Sequence, residues 1–239
     1  MYKKIVNKFL NLVYPPLCIA CRDNTYYVRN LCSKCWSGID WITKPHCEVC
    51  SLPFEYEVEG EMVCGNCLQN KPHFDKMRCA FLYNDVASKI ISSFKYGDKT
   101  YPHKTYSNWM YQAGKDLWDD VDYICFVPLS FRRTVVRKYN QSAILAKDLS
   151  KITNKEIFFD LINRVQHVVP QASLNKNERV KNVKGIFSVD KKYLKKIEGK
   201  TVIIIDDVTT TGATLNECAK VLKKNGVGRV YALTMAKTL

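Results

Sequence analysis

The 239-residue sequence lacks any apolar run long enough to cross a membrane. Its longest stretch without a charged or amide side chain, Leu12 to Cys21, is half of the roughly 20 residues that a membrane-spanning helix needs. Lys3 and Lys4 could open a signal peptide, but polar residues and Pro15-Pro16 interrupt the apolar region that would have to follow. We therefore expect a cytoplasmic protein without a membrane span.

Extremes of composition are also absent. Hydrophobic residues make up 46% of the chain and charged residues 25%, which excludes wholesale disorder and fibrous repeats. Acidic residues are scarce only in the second part. Residues 1–75 carry no net charge, whereas 17 basic and six acidic residues lie between Arg132 and Lys200, which is +11 of the total +14. So positive a surface attracts polyanions, either a phosphorylated small molecule or a nucleic acid.

Cysteine, in contrast, is abundant, and eight of the eleven cysteines form four Cys-x-x-Cys pairs. This spacing lets one turn present two sulfur atoms to a tetrahedral metal at about 2.3 Å, so two pairs complete a four-cysteine zinc site. A disulfide framework and a thioredoxin-like redox role are disfavoured, because cytoplasmic thiols stay reduced and one pair would suffice for redox chemistry. The predicted zinc ligands are Cys18, Cys21, Cys32, Cys35, Cys47, Cys50, Cys64 and Cys67.

Four pairs indicate two structural Zn²⁺ ions. The intervals between pairs leave room for short hairpins, so we expect the first two pairs on one ion and the last two on another, with a cross-braced pairing as the alternative. Four thiolates leave no open coordination position, so such sites hold together a segment too small for its own core. The sequence predicts an N-terminal module, residues 1–75, with a helix ending at Leu12 and a double zinc ribbon.

Residues 76–239 alternate strand and helix signals, which predicts an α/β domain with a parallel sheet and helices on both faces. The predicted strands are 78–83, 123–127, 202–205 and 229–235. The predicted helices are 86–96, one ending near Trp118, 141–152 and 214–225. Residues 166–185 are polar and basic, and they predict a mobile loop or irregular helix.

The most specific chemical pattern is an aliphatic strand that runs into Asp206 and Asp207 and then into a small-residue turn that opens a helix. This order places the pattern at the carboxyl end of the sheet, where ligands bind. The two carboxylates can accept hydrogen bonds from the vicinal hydroxyls of a ribose, while the turn and the helix N-terminus hold a phosphate. The turn residues are Thr209, Thr210, Thr211, Gly212, Ala213 and Thr214.

A P-loop ATPase is excluded as an alternative reading of the paired acids. The nearest match to its motif, Gly199-Lys200-Thr201, has Leu194 where the first glycine belongs.

Residues 202–214 resemble the phosphoribosyl pyrophosphate (PRPP) signature of type I phosphoribosyltransferases. The chain as a whole resembles the ComF family, associated with bacterial competence, through the cysteine pairs and motifs at Lys95-Tyr96-Gly97, Val127-Pro128-Leu129 and Asn140-Gln141. The resemblance implies a type I phosphoribosyltransferase-like parallel sheet behind a small four-cysteine zinc-ribbon module. It also implies PRPP as the ligand and Mg²⁺ bound with PRPP, bridging the diol and the pyrophosphate.

We expect the Val127-Pro128-Leu129 end to lie at the same sheet edge as the PRPP loop, so that the basic residues after it can converge on the pyrophosphate. These residues are Arg132, Arg133, Arg137 and Lys138. By resemblance, a mobile loop with Gln171, Arg179 and Asn182 would close over the site. Thr210 stands where purine-type relatives carry an acidic general base, so purine salvage is disfavoured.

We therefore expect a PRPP-binding, phosphoribosyltransferase-like protein of natural competence that acts on or binds single-stranded DNA during DNA uptake. Other competence proteins, such as a DNA-uptake helicase, are the expected protein partners. One alternative is a housekeeping phosphoribosyltransferase for an unidentified base or nucleotide acceptor. Another is a binding module whose PRPP fold has lost catalysis.

Overall fold

The computed structural model describes residues 15–25, 28–56, 60, 62–96, 102–129, 139–165 and 185–239. Within these, the strands are β1 Lys76–Leu82, β2 Tyr123–Phe126, β3 Glu156–Ile157, β4 Ile162–Arg164, β5 Phe187–Val189, β6 Thr201–Thr209 and β7 Arg229–Lys237. The helices are α1 Ser33–Ser37, α2 Gly65–Gln69, α3 Asp85–Tyr96, α4 His103–Ala113, α5 Gln141–Thr153, α6 Leu194–Ile197 and α7 Ala213–Lys224. None of these helices is long and apolar enough to span a bilayer.

Five strands form one parallel sheet in the order β1-β7-β6-β2-β3. The chain moves outward from β2 to β3 and later returns to the other side of β2 with β6, so the strand order reverses between β2 and β6. Val202 to Ile205 in β6 are fully buried, as expected for a parallel strand covered on both faces. The predicted α/β fold is confirmed.

The two faces of the sheet carry different layers. Helices α3, α4 and α5 and the first cysteine group pack on the face that includes Ile203 and Leu233. Helix α7 and the second cysteine group pack on the face that includes Ile204 and Ala232. Because side chains alternate along a strand, neighbouring residues of β6 and β7 serve opposite cores.

Some element boundaries differ from those expected. The helix expected to end near Trp118 ends at Ala113, where the Gly114 N–H bonds to Met110. A Cβ at position 114 would lie 3.3 Å from the Leu233 side chain, so glycine allows the helix end to approach β7 closely. The short antiparallel pair β4–β5 was not predicted. The predicted helix ending at Leu12 lies outside the described residues.

Both ribbons pack onto strand β1. The segment that joins them runs along the free edge of β1, where the Ile42 N–H donates to Ala80 at 3.0 Å and the Leu82 N–H donates to Asp40 at 2.8 Å. Covering an edge strand in this way removes a site for unwanted pairing. The ribbons therefore share cores with the sheet, and the domain boundary at residue 75 stays a prediction.

Arg78 ties the second ribbon to the sheet. Its side chain is only 3% exposed, and it pairs with Glu48 of the ribbon at 2.5 Å and with Asp116, which follows α4, at 2.7 Å. A further bond from Arg78 reaches the Glu48 carbonyl oxygen at 2.8 Å. One buried guanidinium thus satisfies acceptors from two separate parts of the chain.

Replacing Arg78 by Met should lower the free energy of unfolding by about 3 kcal/mol, because it leaves the partly buried Glu48 carboxylate with only the exposed Lys44, at 3.9 Å, as a cationic partner. Urea unfolding of zinc-loaded protein measures this loss. The matched control is Arg229→Met, since Arg229 forms an ion pair with Asp120 in which both side chains are about half exposed. We expect the control to change stability by less than about 1 kcal/mol. Equal effects of the two variants would contradict the anchoring role of Arg78.

Candidate functional site

The paired acids lie inside β6 and not after it. The strand was expected to end at Ile205, but it continues to Thr209 because β7 keeps pairing with it as far as Lys237. Its other neighbour, β2, pairs only as far as Phe126, opposite Ile205. Asp206 and Asp207 therefore lie in a part of β6 that pairs with β7 on one side only. On the other side is the crevice where the strand order reverses, and ligands bind in such crevices.

Asp206 is held from two directions. Its Oδ1 accepts a hydrogen bond at 2.9 Å from the hydroxyl of Ser142, near the start of α5, and another at 2.9 Å from the Asp207 N–H. Its Oδ2 has no partner among the described residues. Burial, and next the charge of Asp207, raise the pKa of Asp206 from 3.8 to about 7. The Asp206 carboxyl therefore gains or loses its proton near neutral pH, and a bound cation or hydrogen-bond donor would favour the ionised form.

Asp207 is 8% exposed and faces a cation. The Lys95 ammonium, near the end of α3, lies 3.0 Å from its Oδ2. That oxygen accepts no hydrogen bond of suitable angle in the described structure, while Oδ1 accepts one from the Val208 N–H at 2.7 Å. Lys95 thus offsets the charge of the acid pair while one buried oxygen keeps unused hydrogen-bonding capacity.

The turn after β6 opens helix α7 in the predicted way. Gly212 is its N-cap residue with φ 75°, a left-handed conformation that favours glycine, so the N-cap residue itself supplies no side-chain acceptor. The Thr211 hydroxyl accepts from the Ala213 N–H at 3.3 Å. Thr210 and Thr211 are exposed. A helix N-terminus whose N-cap residue supplies no side-chain acceptor is suited to an anion.

The structure thus brings the acids and the Thr209–Thr214 turn together at one sheet edge. The predicted pyrophosphate contacts Arg132, Arg133, Arg137 and Lys138 lie outside the described residues, as do Gln171, Arg179 and Asn182 of the predicted mobile loop. Two site residues had not been assigned a role. Lys95 stood in a recognised motif, whereas nothing in the sequence pointed to Ser142, which follows directly after Asn140-Gln141.

The eight paired cysteines form two groups of four in chain order, so the consecutive pairing is the one observed. Sulfur atoms of Cys21 and Cys32 lie 3.6 Å apart, and those of Cys50 and Cys64 lie 3.7 Å apart. A tetrahedron with zinc–sulfur bonds of about 2.3 Å has edges of about 3.8 Å, so both groups fit Zn²⁺. In each group a backbone N–H donates to a ligand sulfur at 3.3 Å, Cys32 to Cys18 and Cys64 to Cys47.

The second ribbon lies beside the Thr209–Thr214 turn, which is called the phosphate turn below after its predicted ligand group. A cavity of about 430 Å³ separates them, with Cys64 and Cys67 on one side and residues 210–213 on the other. Behind the turn, the His73 N–H donates to the Asn216 side chain at 2.5 Å, and Asp75 pairs with Lys223 at 2.8 Å. The ribbon and helix α7 are therefore connected at both ends of the helix.

Comparison with known proteins agrees with this architecture. A model of the double zinc ribbon domain matches residues 9–68, and a model of the phosphoribosyl transferase domain matches residues 139–238. Competence protein F of Haemophilus influenzae is 32% identical over 226 residues, which cover 92% of this chain and 96% of that protein. DNA utilization protein YhgH of Escherichia coli K12 is 28% identical, with 95% and 100% covered. Competence protein ComFC of Bacillus subtilis is 27% identical, with 88% and 85% covered.

The raised pKa of Asp206 predicts a pH-dependent stability that Asp206→Asn should remove. Between about pH 4 and 7 the native carboxyl keeps a proton that the unfolded one has lost, so its contribution to stability is complete below pH 4 and disappears as the pH rises through 7. The unsubstituted protein should lose about 2 to 3 kcal/mol of stability between pH 5 and pH 8 through this carboxyl, and Asp206→Asn should not show that loss.

Urea unfolding at the two pH values measures this difference. Asp120→Asn, at a half-exposed ion pair, serves as the control and should keep the pH profile of the unsubstituted chain. If Asp206→Asn also kept that profile, the proposed protonation would be wrong.

Proposed function

Since the chain belongs to the competence protein F family, we propose that it binds PRPP with Mg²⁺ at the Asp206–Asp207 edge and handles single-stranded DNA during DNA uptake. The observation that carries the proposal is the juxtaposition of two carboxylates with the N-terminus of α7, whose N-cap residue is a glycine; the short turn 210–212 joins the two. A ribose 5-phosphate offers the complementary groups, two hydroxyls at one end and a dianion at the other.

The carboxylates suit the ribose end of such a ligand. The Oδ2 atoms of Asp206 and Asp207 accept no hydrogen bond within the described structure, so each can accept one from a ribose hydroxyl. Oxygen donors of this kind also suit Mg²⁺, which when bound would neutralise negative charge between the diol and the pyrophosphate. When no ligand is bound, the positive charge of Lys95 offsets part of the negative charge of the two acids.

The turn suits the phosphate end. Gly212 lets the backbone reverse direction just before α7, so the first N–H groups of a 12-residue helix are presented to an anion. The exposed hydroxyls of Thr210 and Thr211 add further donors. Because the turn contains no carboxylate, nothing within it repels a phosphate.

Single-stranded DNA can use only one part of the surface proposed for PRPP. An internal deoxynucleotide has no vicinal hydroxyls to donate to Asp206 and Asp207, and its phosphodiesters would be repelled by two carboxylates. The net charge of +11 between Arg132 and Lys200 offers the alternative surface. We therefore infer that DNA binds through this basic segment and not through Asp206 and Asp207.

A second candidate function, phosphoribosyl transfer to an unidentified acceptor, is favoured by the cavity beside the turn. Its volume of about 430 Å³ lies within the range of small-molecule sites. Thr210 borders this cavity and supplies no general base near neutral pH, so an acceptor would have to be nucleophilic without deprotonation by that residue. Turnover of PRPP in the presence of candidate acceptors separates this function from binding alone.

At pH 8, where the Asp206 carboxyl has lost its proton, replacing both Asp206 and Asp207 by Asn should weaken PRPP binding roughly tenfold or more, because each charge-assisted hydrogen bond contributes about 1.5 to 3 kcal/mol. Calorimetry with Mg²⁺ present measures the affinity, and a melting curve without ligand shows that the strand survives. Asp120→Asn is the control and should bind as the unsubstituted chain does. Unchanged affinity in the double variant, or no PRPP binding by the unsubstituted chain, would leave the binding-module alternative.

Reversing Arg132, Arg133 and Lys138 to Glu should weaken binding of single-stranded DNA whatever its base sequence. Loss of three phosphate contacts should flatten the logarithmic salt slope by about 2. The matched control reverses Lys191, Lys192 and Lys195, of which Lys192 is already paired with Asp160 and Asp190. Equal weakening in both triple variants would show that affinity follows net charge alone. An unchanged affinity in the first variant would place the contact elsewhere, between Lys176 and Lys184.

A further inference from the structure

The two four-cysteine groups differ in burial. In the second group all four cysteines are at most 9% exposed, whereas Cys21 and Cys32 of the first group are partly exposed. Four thiolates around one Zn²⁺ carry a net charge of −2. Burying such a charge is strongly unfavourable unless an opposite charge lies nearby, so the second site has a greater need for compensation than the first.

Backbone hydrogen bonds do not meet this extra need. The N–H to sulfur bond has the same length, 3.3 Å, in both groups, from Cys32 to Cys18 and from Cys64 to Cys47. Both groups also begin a short helix directly after their third cysteine, α1 after Cys32 and α2 after Cys64. Whatever stabilises the second site beyond the first must therefore come from a side chain.

Lys237 is that side chain. Arg78 and Lys237 are the buried basic residues of the described structure, and Arg78 is already paired with two carboxylates. Lys237 is 8% exposed, and its ammonium donates to the carbonyl oxygen of the zinc ligand Cys50 at 2.9 Å. Among the described residues it forms no ion pair with a carboxylate, although a buried lysine nearly always has an anionic partner.

We propose that Lys237 is the counter-charge of the second zinc–thiolate site, which is therefore the anionic partner that this lysine otherwise lacks. Lys237 also lies close to the turn after β6, because it is the last residue of β7. Lys237 ends β7 opposite Thr209, and the next N–H, of Thr238, donates to the Thr209 carbonyl at 3.0 Å. One side chain thus links the zinc site to the strand end from which the phosphate turn begins.

The test measures release of zinc from the full chain to the chromogenic chelator 4-(2-pyridylazo)resorcinol, without PRPP. Lys237→Met keeps an unbranched side chain, one heavy atom shorter, and removes its charge. We expect one of the two zinc ions to be released at least about tenfold more readily and the other to be released as in the unsubstituted protein. Lys237→Arg, which keeps the charge, should retain both ions.

Two further variants identify the cause. Lys200→Met removes a charge from a half-exposed lysine just before β6 and should leave both zinc ions unaffected. In a Cys32→Ser background, which disables the first site, Lys237→Met should loosen the zinc that remains. Normal zinc retention in Lys237→Met would overturn the proposal. Equal loosening of both ions, or the same loss in Lys237→Arg, would show that Lys237 acts by packing and would overturn it as well.

Discussion

The candidate site depends on the unequal lengths of the two central strands. Strand β6 keeps pairing with β7 to Thr209, while β2 stops opposite Ile205. The four residues beyond that point are held rigidly by one neighbour and open to a crevice on the other side. A carboxylate pair on a loop would have to be ordered when a ligand binds, whereas Asp206 and Asp207 are already ordered by the β6–β7 ladder.

The zinc module packs against the sheet and contributes to its rigidity. Each ribbon packs on a different face of the sheet, and the segment between them closes the edge of β1. A module of this size has too little apolar surface to fold alone, so zinc binding and contact with the sheet supply the stability that it lacks. The second ribbon then lies across a cavity from the phosphate turn, which allows a small zinc-bound segment to form one wall beside the ligand site.

The two regions proposed to bind ligands carry opposite charge. The acid pair at the sheet edge is suited to hydroxyl groups and a divalent cation, while the excess of lysine and arginine after Arg132 attracts phosphates over longer distances. Ligands with both kinds of group, such as PRPP, can use both regions. A polymer of deoxynucleotides can use only the basic one, which is the chemical reason for proposing that DNA does not contact the acid pair.

Local patterns in the sequence determined the ligand chemistry. Two-residue spacing within the cysteine pairs is enough to form zinc sites, and an aliphatic run followed by Asp206, Asp207 and a small-residue turn is enough to place them at the carboxyl edge of a parallel sheet. The family resemblance followed from these same motifs, since each of them is contained in a few consecutive residues. These predictions needed no knowledge of long-range contacts.

The tertiary structure decided the partners of those residues. The extension of β6 to Thr209 depends on β7, more than 20 residues later in the chain, and the contacts of Ser142 with Asp206 and of Lys95 with Asp207 cross 64 and 112 positions. Lys237 reaches Cys50 across 187 positions. Local sequence patterns do not indicate such pairings, because they form only when the sheet brings distant segments together. The same folding step buries the charged groups, and burial determines how much each charge contributes to stability.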